Sequence, residues 1–185
     1  IENATGSGFD DNITGNAVDN RLSGGAGNDT LTGEDGNDSL DGGADDDMMS
    51  GGTGNDVYVE TPGSGDTVTD TGGEDLIDLS NATAEVSVDL SQTGSAQTVD
   101  ANSNTLTING TIENVIGSAF DDVIKGNAVA NNITGGAGND SLSGASGDDT
   151  LLGGTGNDSL TGGAGNDDLN GGADDDVMAG GTGND

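Results

Sequence analysis

A nine-residue unit repeats through two long stretches of the chain, and this periodicity limits the possible folds more than any other feature. The first stretch begins at Gly6 and reads GSGFDDNIT, GNAVDNRLS, GGAGNDTLT, GEDGNDSLD, GGADDDMMS and GGTGNDVYV, ending at Val59. The second begins at Gly117 and reads GSAFDDVIK, GNAVANNIT, GGAGNDSLS, GASGDDTLL, GGTGNDSLT, GGAGNDDLN and GGADDDVMA, followed by GGTGND up to Asp185. A short period of this kind is typical of solenoids, in which each repeat packs only against its neighbours.

Each position of the unit has its own chemical character. Positions 1, 2 and 4 are mostly Gly, which permits positive φ and a tightly curled loop. Position 6 is mostly Asp, position 8 is always apolar or aromatic, and positions 7 and 9 are mainly polar. Positions 7 to 9 therefore predict a three-residue strand with one inward side chain. The predicted fold class is all-β: a parallel β-roll (solenoid) with two nonapeptides per turn and a thin interior column of Leu, Ile and Met.

A longer repeat supports two nonapeptides per turn. The stretch from Ile1 to Asp29 aligns with the stretch from Ile112 to Asp140. The first array has six units and the second has eight, counting the truncated last one, so the arrays differ by two nonapeptides. An insertion of two nonapeptides keeps the loops in register only if two nonapeptides make one whole turn.

The chain divides into three segments by pattern. Residues 1–59 predict a first roll, and residues 117–185 predict a second roll that is truncated at its C-terminus. Between them, residues 60–116 contain alternating stretches such as DTVTD, EVSVDLS and TLTING. Alternation with period two predicts half-buried strands. We expect this middle segment to be strand-rich and to connect or cap the two rolls.

The charge of the chain restricts its partners. The 185 residues include 35 acidic and only two basic residues, giving a formal charge of −33. Nucleic acid and anionic membranes would be repelled. Cys and His are absent, which excludes disulfides, thiol chemistry and the usual zinc ligands. No apolar run approaches the roughly 20 residues of a membrane-spanning helix, and no basic-then-apolar signal peptide opens the chain.

Stacked turns would bring the position-6 carboxylates close together. At a separation of about 5 Å, two carboxylates repel by about 1 kcal/mol even at the dielectric constant of water. One apolar side chain in each nonapeptide does not offset this repulsion along a whole stack. A divalent cation between successive loops would turn this repulsion between carboxylates into a net attraction. Oxygen ligands of this kind suit calcium or magnesium. The sequence therefore predicts a roll that is unstable without metal.

The pattern GGxGxD followed by x, apolar, x resembles the RTX (repeats-in-toxin) calcium-binding nonapeptide of the parallel β-roll. The resemblance implies six-oxygen Ca²⁺ sites between a loop and the loop two nonapeptides later, with ligands from positions 2, 4 and 6 of the first loop and 1, 3 and 6 of the second. Counting every loop pair gives about ten Ca²⁺ ions. In the first array the implied ligands are Asp11, Gly24, Gly25, Ala26, Gly27, Asp29, Gly33, Glu34, Asp35, Gly36, Asp38, Gly42, Ala44, Asp47, Gly51, Thr53 and Asp56. In the second array they are Asp122, Gly135, Gly136, Ala137, Gly138, Asp140, Gly144, Ala145, Ser146, Gly147, Asp149, Gly153, Gly154, Thr155, Gly156, Asp158, Gly162, Gly163, Ala164, Gly165, Asp167, Gly171, Ala173, Asp176, Gly180, Thr182 and Asp185.

The opening turn of each array departs from the pattern, and two interpretations stay open for it. Either these loops bind calcium like the others, or they cap the roll with weak or no binding. Val at position 4 disfavours the positive φ expected there. The departing residues are Phe9, Val18, Phe120 and Val129 at position 4 and Asn20 and Asn131 at position 6.

The resemblance also implies a function. Such modules belong to large bacterial proteins that leave the cell unfolded through type I secretion machinery and fold outside, where calcium is abundant. We expect a secreted, extracellular or cell-surface location and a structural, spacing or secretion-assisting role beside neighbouring domains of the same long chain. We expect no catalytic activity, because the repetition itself accounts for the acidic residues and no His or Cys is present to work with them.

The alternative is a ligand-binding module, for polysaccharide or ice, appended to an enzyme or adhesin. Exposed aromatic residues would favour polysaccharide, but Phe9, Tyr58 and Phe120 are few and are expected to point inward or to cap. A flat Thr ladder would favour ice, but Thr155 and Thr182 are expected on opposite sides of the roll. An EF-hand-like start at Asp100 is rejected, because the residues required at later positions of that loop are missing.

Overall fold

The computed structural model describes residues 2–61 and 65–185, and within these ranges the chain forms twenty β-strands and no helix. Accordingly, the described residues include no helix of the length and apolarity that would cross a bilayer. The first ten strands are β1 (Asn3–Thr5), β2 (Asn12–Thr14), β3 (Arg21–Ala26), β4 (Thr30–Asp35), β5 (Ser39–Ala44), β6 (Met48–Thr53), β7 (Val57–Val59), β8 (Gly65–Thr69), β9 (Leu76–Asp78) and β10 (Ser87–Asp89). The second ten are β11 (Ala96–Thr98), β12 (Thr105–Asn109), β13 (Asn114–Ile116), β14 (Val123–Lys125), β15 (Asn132–Ala137), β16 (Ser141–Ser146), β17 (Thr150–Thr155), β18 (Ser159–Ala164), β19 (Asp168–Ala173) and β20 (Val177–Thr182).

The strands belong to two compact units. The first unit reaches Asp78 and also includes Gln92–Ile112. The second unit consists of Leu79–Ser91 and Glu113–Asp185. The middle segment predicted from the sequence therefore contributes strands to both units, and the three-part division at residues 60 and 116 stays a prediction.

The first unit is a parallel β-roll whose consecutive strands alternate between two sheets. One sheet contains β1, β3, β5, β7 and β9 in that order, and the other contains β2, β4, β6, β8, β12 and β11. Leu22 pairs with Leu40 and Leu31 pairs with Met49, so residues that are two nonapeptides apart lie side by side. This spacing confirms that two nonapeptides make one turn.

The same unit continues beyond the first array. Tyr58 pairs with Ile77 and Met49 pairs with Val68, and each offset is one residue longer than two nonapeptides. The stretch that contains β8 and β9 is thus a further turn with one additional residue. Strand β12 then adds in parallel to β8, and β11 pairs with β12 in antiparallel orientation.

The second unit is built in the same way. Its strands β13, β15, β17 and β19 follow one another in one sheet, and β10, β14, β16, β18 and β20 form the other. Ile133 pairs with Leu151 and Ile124 with Leu142, again with an offset of two nonapeptides. The parallel β-roll predicted from the period is confirmed in both units.

The position-8 side chains form the predicted interior column. Leu22, Leu31, Leu40 and Tyr58 are completely buried. Other buried members of the column are Ile13, Met49, Ile124, Ile133, Leu142, Leu151 and Leu160. The last two members are less covered: Leu169 is half-buried and Met178 is 51 % exposed, because β19 and β20 are edge strands and no described strand covers their outer sides.

Positive φ is confined to positions 2 and 4 of the loops within the described nonapeptides. Gly25 has φ 117° and Gly27 has φ 102°. Non-glycine residues adopt the same conformation at Glu34 and Ala145 in position 2 and at Asp45 in position 4. Position-1 glycines such as Gly24 do not have positive φ, so the predicted reason for Gly is right for positions 2 and 4 and wrong for position 1.

The aromatic side chains do not all point inward. Tyr58 is buried, as expected, but Phe9 is 79 % exposed and Phe120 is 43 % exposed. The expectation that the two Phe residues point inward is therefore wrong, whereas their role in capping the roll stays a prediction. The interior accepts one side chain per strand, at position 8, whereas Phe9 and Phe120 stand in loops at position 4.

Candidate metal sites

The Asp residues at position 6 form hydrogen-bonded ladders from turn to turn. Asp29 Oδ1 accepts the backbone N–H of Asp11 at 2.8 Å, and Asp47 Oδ1 accepts that of Asp29 at 2.8 Å. In the second unit, Asp158 Oδ1 accepts the N–H of Asp140, also at 2.8 Å. Each carboxylate is thereby held in the gap between its own loop and the corresponding loop of the preceding turn.

In seven of these carboxylates the second oxygen has no partner among the described residues. In the described part of the chain, the buried position-6 residues with an unpartnered Oδ2 are Asp29, Asp38, Asp56, Asp140, Asp149, Asp158 and Asp167. Leaving a buried, charged oxygen without a donor is unfavourable, since even a neutral polar group costs about 2–7 kcal/mol. A row of such oxygens indicates that a cation is the missing partner.

The carboxylate oxygens lie against the glycines at position 1. A Cβ on Gly24 would overlap Asp29 Oδ2 and would come within 2.6 Å of the carbonyl oxygen of Gly42. A Cβ on Gly33 would likewise overlap Asp38 Oδ2 and approach Gly51 O at 2.7 Å. Position 1 therefore needs Gly, because a carboxylate of its own loop and a carbonyl of the corresponding loop one turn later occupy the space that a Cβ would fill.

Carbonyl oxygens at positions 2 and 4 face the following turn. A Cβ on Gly43 would overlap Gly25 O, and a Cβ on Gly156 would overlap Gly138 O. The gap between two loops is thus bordered by carbonyls of positions 2 and 4 on one side and by the position-1 carbonyl on the other. Carboxylate and carbonyl oxygens are the ligands that Ca²⁺ takes, so the residues present fit this ion.

Six loop pairs bring the predicted ligands together in this way. Their strands are in register at positions 2 and 3, as in the pairs Gly25–Gly43 and Ala26–Ala44. The pairs in the first unit are Gly25, Gly27 and Asp29 with Gly42, Ala44 and Asp47, and Glu34, Gly36 and Asp38 with Gly51, Thr53 and Asp56. Those in the second unit are Gly136, Gly138 and Asp140 with Gly153, Thr155 and Asp158; Ala145, Gly147 and Asp149 with Gly162, Ala164 and Asp167; Gly154, Gly156 and Asp158 with Gly171, Ala173 and Asp176; and Gly163, Gly165 and Asp167 with Gly180, Thr182 and Asp185.

The opening loops satisfy their carboxylates internally. Asp11 Oδ2 accepts the backbone N–H of Ser7 at 2.6 Å and its hydroxyl at 2.9 Å. Asp122 Oδ2 accepts the N–H of Ser118 at 2.5 Å, and Asp122 Oδ1 accepts the Ser118 hydroxyl at 2.7 Å. These two Asp residues lie at the predicted places, but protein donors already occupy the oxygens that elsewhere have no partner.

The Asn residues of the opening turns stand where the other loops have the position-6 carboxylate, and their amide groups are hydrogen-bonded within the protein. Asn20 Nδ2 donates to the carbonyl oxygens of Asn16 at 3.0 Å and Val18, which are the position-2 and position-4 carbonyls of its loop. Asn20 Oδ1 accepts the N–H of Asn16. In the second unit, Asn131 Oδ1 accepts the N–H of Asn127 at 2.8 Å. The predicted second-loop ligands that face the opening loops are Gly24, Ala26, Gly33, Asp35, Gly135, Ala137, Gly144 and Ser146.

Burial and mutual repulsion perturb the metal-free carboxylates. Burial raises the pKa of Asp47, Asp56 and Asp140 to about 6, against the opposing effect of one backbone hydrogen bond each. The negative charges of neighbouring Asp residues raise these pKa values further. The direction of the shift shows that the metal-free loops disfavour the charged form of the side chains that would hold Ca²⁺.

A second ladder, at position 5, is one that the sequence reasoning missed. Asn139 Oδ1 accepts the backbone N–H of Asn157 at 2.9 Å, and Asp121 Oδ1 accepts that of Asn139 at 2.7 Å. A signal exists in the sequence, because every nonapeptide has Asn or Asp at position 5 except the one containing Ala130. The motif assigns no residue type to this position, so its regularity is easily mistaken for composition.

The chain matches a known family by sequence. The family model of the RTX calcium-binding nonapeptide repeat, which spans four copies, matches residues 5–40, 23–58, 108–128, 116–151, 126–160 and 152–185. No curated protein is similar enough to count as a relative. The matched segments cover well over half of the chain, and the structure supplies the parallel roll and the oxygen-lined gaps between loops. The chain therefore belongs to the RTX calcium-binding nonapeptide repeat family and is a calcium-binding β-roll module.

Proposed function

We propose that Ca²⁺ drives the folding of this module outside the cell and that the module serves as a structural, spacing or secretion-assisting part of a larger secreted bacterial protein. The observation that carries the proposal is the row of buried position-6 carboxylates whose Oδ2 atoms have no partner among the described residues. Ca²⁺ supplies the positive charge that these oxygens lack. Because the ligands come from two different turns, binding can only be completed by a folded roll, so binding energy becomes folding energy.

The module has few other sources of stability. A typical nonapeptide strand of the roll buries one sizeable apolar side chain, such as Leu31 or Leu142, which contributes about 1.5–3 kcal/mol. Ordering a nonapeptide costs about 1–2 kcal/mol for the backbone of each residue. Ladder hydrogen bonds offset part of that cost, but the repelling carboxylates add to it. The chain fits a protein that stays unfolded until it meets calcium.

We propose that the six complete loop pairs each hold one ion and that the opening loops serve as caps. Counting all loop pairs leads to about ten ions, four of which would involve an opening loop. In those loops Ser7, Ser118 and Asn20 already satisfy the oxygens that would bind the cation. An ion there would have to displace protein hydrogen bonds, whereas an ion in a central loop pair displaces none.

The remaining parts of the proposal follow from charge and repetition. A chain of net charge −33 stays soluble and extended when calcium is scarce, which suits passage through type I secretion machinery before folding. We propose that its partners are calcium, that machinery and neighbouring domains of the same chain, and that it is not catalytic. Phe9 and Phe120 belong to different units, and Thr155 and Thr182 belong to strands of different sheets, so neither observation favours polysaccharide or ice binding.

The proposal is tested by titrating the intact chain with calcium. Circular dichroism measures the strand content, and isothermal titration calorimetry measures the number of bound ions. The chelated chain should be disordered and should gain strand signal with calcium. Asp158 belongs to one site with Asp140 and another with Asp176, so Asp158→Asn should lower the stoichiometry by about two ions. Asp11→Asn, the control, should lose none. A chelated chain with full strand content, or equal ion losses in the two variants, would contradict the proposal.

A further inference from the structure

An acidic loop outside the nonapeptides occupies the place of a further calcium-binding loop. The loop is DTGGED, from Asp70 to Asp75, and it lies in the additional turn between β8 and β9. Ser50 pairs with Thr69 and Thr53 bridges Gly72, so Asp70 follows in register with Gly51. The family match ends at residue 58 in this part of the chain and does not include the loop.

Three carboxylates converge where this loop meets the last loop of the first array. Asp56, Asp70 and Asp75 are all buried, and each offers an oxygen within 4.8 Å of the others. Asp75 continues the ladder, since its Oδ1 accepts the backbone N–H of Asp56 at 2.8 Å. A Cβ on Gly73 would overlap Gly54 O, so the position-4 carbonyl faces this gap as it does in the array. The oxygen-lined gap between loops is reproduced, with a carboxylate at the position where the array has a glycine.

A buried oxygen in this cluster has no partner. Asp56 is 1 % exposed, its Oδ1 accepts the N–H of Asp38, and its Oδ2 receives no hydrogen bond from any part of the chain that the structure describes. Gly51 of the same loop faces that atom, because a Cβ there would overlap Asp56 Oδ2. The unpartnered oxygen is therefore directed into the gap between the loops.

The protein brings no positive charge to balance the cluster. The Tyr58 hydroxyl lies 3.1 Å from Asp70 Oδ1 and 3.1 Å from Thr69 O, and its single proton serves only one of them at a time. Of the two basic residues in the chain, Lys125 pairs with Asp89 at 3.0 Å and Arg21 lies in strand β3. Three buried carboxylates with no cationic side chain need either protons or a metal ion.

We propose that Asp56, Asp70 and Asp75 form a separate Ca²⁺ site in which the Asp70 carboxylate takes the place of the position-1 glycine carbonyl. The proposal rests on the proposed function and adds a seventh ion to the six in the arrays. With three carboxylates where an array site has two, this site has the larger ligand charge, and Ca²⁺ affinity rises with ligand charge. It is the first site to fill, and it ties the additional turn to the first array.

Terbium luminescence addresses this site selectively. Tb³⁺ takes the same oxygen ligands as Ca²⁺, and its emission is sensitised by a nearby excited tyrosine. Tyr58 is the only tyrosine and the chain has no Trp, so tyrosine excitation reports chiefly on ions beside the Tyr58 hydroxyl. In the full chain, sensitised emission should rise with the first equivalents of Tb³⁺ and should be displaced by Ca²⁺.

The test compares two variants that each remove one negative charge from the same loop. Asp70→Asn should abolish the early emission and lower the Ca²⁺ stoichiometry by one. It should also weaken the tightest binding step by at least about 10- to 100-fold, because that is the usual effect of losing only an outer-shell partner and Asp70 is a direct ligand. Glu74→Gln is the control, because Glu74 is exposed and its backbone N–H, which the substitution keeps, donates to Asn55 Oδ1. It should behave like the parent.

Each result has a defined meaning. Identical titrations of Asp70→Asn and the parent, with six or fewer ions in both, would overturn the proposal and leave the cluster holding shared protons only. A parent that neither binds Ca²⁺ nor folds with it would instead overturn the proposed function. If Asp70→Asn fails to fold even at saturating Ca²⁺, Asp70→Glu must restore both folding and emission. Failure of both variants would assign Asp70 a packing role and would also overturn the proposal.

Discussion

At the scale of single residues, the three glycines of a complete loop such as GGAGND serve two different purposes. Positions 2 and 4 need positive φ, and residues with a side chain adopt it there at a cost of about 1–2 kcal/mol, as Ala145 does at φ 80°. Position 1 has an ordinary φ but is approached by a carboxylate and a carbonyl. Glycine is thus required at position 1 by its neighbours alone, and at positions 2 and 4 by its own conformation together with a carbonyl of the preceding turn.

This distinction predicts the effect of adding one methyl group at position 1. In Gly153→Ala, the new Cβ would overlap Asp158 Oδ2 and Gly171 O. The variant should lose about 1–3 kcal/mol of stability in calcium, the usual cost of overpacking, and should bind at least one ion less. Chemical denaturation at fixed calcium measures the first effect and calorimetry the second.

Gly8→Ala is the matched control for that variant. Nothing lies within 4 Å of a Cβ at Gly8, and its φ is not positive, so the same methyl group should be tolerated. Equal losses in the two variants would mean that the loss of glycine flexibility, and not the approach of the carboxylate, sets the requirement.

At the scale of strands and loops, neighbouring turns are joined by several parallel ladders. The strands pair backbone to backbone, the position-6 carboxylates accept the N–H of the preceding turn, and the position-5 side chains accept the N–H of the following turn at the surface. Only the position-6 ladder also faces the gap that we assign to calcium. The position-5 ladder therefore stabilises turn-to-turn stacking independently of the ion.

The one interrupted position-5 ladder can be completed. Residue 130 is Ala, which has no acceptor for the turn that follows, whereas Asp19 at the corresponding place in the first array accepts the N–H of Asn37 at 2.9 Å. In Ala130→Asn, the new side-chain oxygen should accept the backbone N–H of Asp148. This hydrogen bond should stabilise the second unit by about 0.5–1.5 kcal/mol. Thermal unfolding in calcium measures the gain. Ala128→Asn, in the same exposed loop, should give no gain, and a similar gain from both would refute the assignment.

At the scale of the whole molecule, charge decides when the chain folds. The described carboxylates repel one another across successive turns, and burial raises the pKa of Asp47, Asp56 and Asp140 to about 6 and that of Asp75 to about 7. A pKa that is higher in the folded state than in the unfolded state favours folding at low pH. That contribution is complete below the ordinary pKa of Asp and is lost as the pH rises through the folded-state pKa.

The metal-free chain should therefore fold better in acid than at neutral pH. With calcium removed on a chelating resin, strand content measured by circular dichroism should fall as the pH rises from about 4.5 to about 7.5. With saturating calcium the order should reverse, because acid protonates the ligands and releases the ion. Sedimentation must show a monomer at the acidic end, which lies near the pI of about 4.1. A metal-free chain with more strand at the neutral end would contradict the direction of the shifts.

Much of this architecture follows from the amino-acid sequence alone. The nonapeptide period, the apolar residue at position 8 and the difference of two units between the arrays are enough to predict the parallel roll, its two sheets and its interior column. The position-6 residues such as Asp29 and Asp158 are predictable as a carboxylate row for the same reason. In a solenoid each unit contacts only the units before and after it, so a local pattern is repeated as a spatial one.

Only the tertiary structure decided what each repeated residue meets across the gap between turns. It shows Gly24 held against Asp29 and Gly42, and Asn20 supplying an amide where other loops leave oxygens unpartnered. It also places Asp70 and Asp75 opposite Asp56, although their turn is one residue longer and has no nonapeptide pattern. Periodicity predicts which residues are stacked. Whether two facing oxygens share a proton, accept an N–H or have no partner depends instead on atomic distances between turns. A one-residue insertion also removes the sequence period without removing the turn.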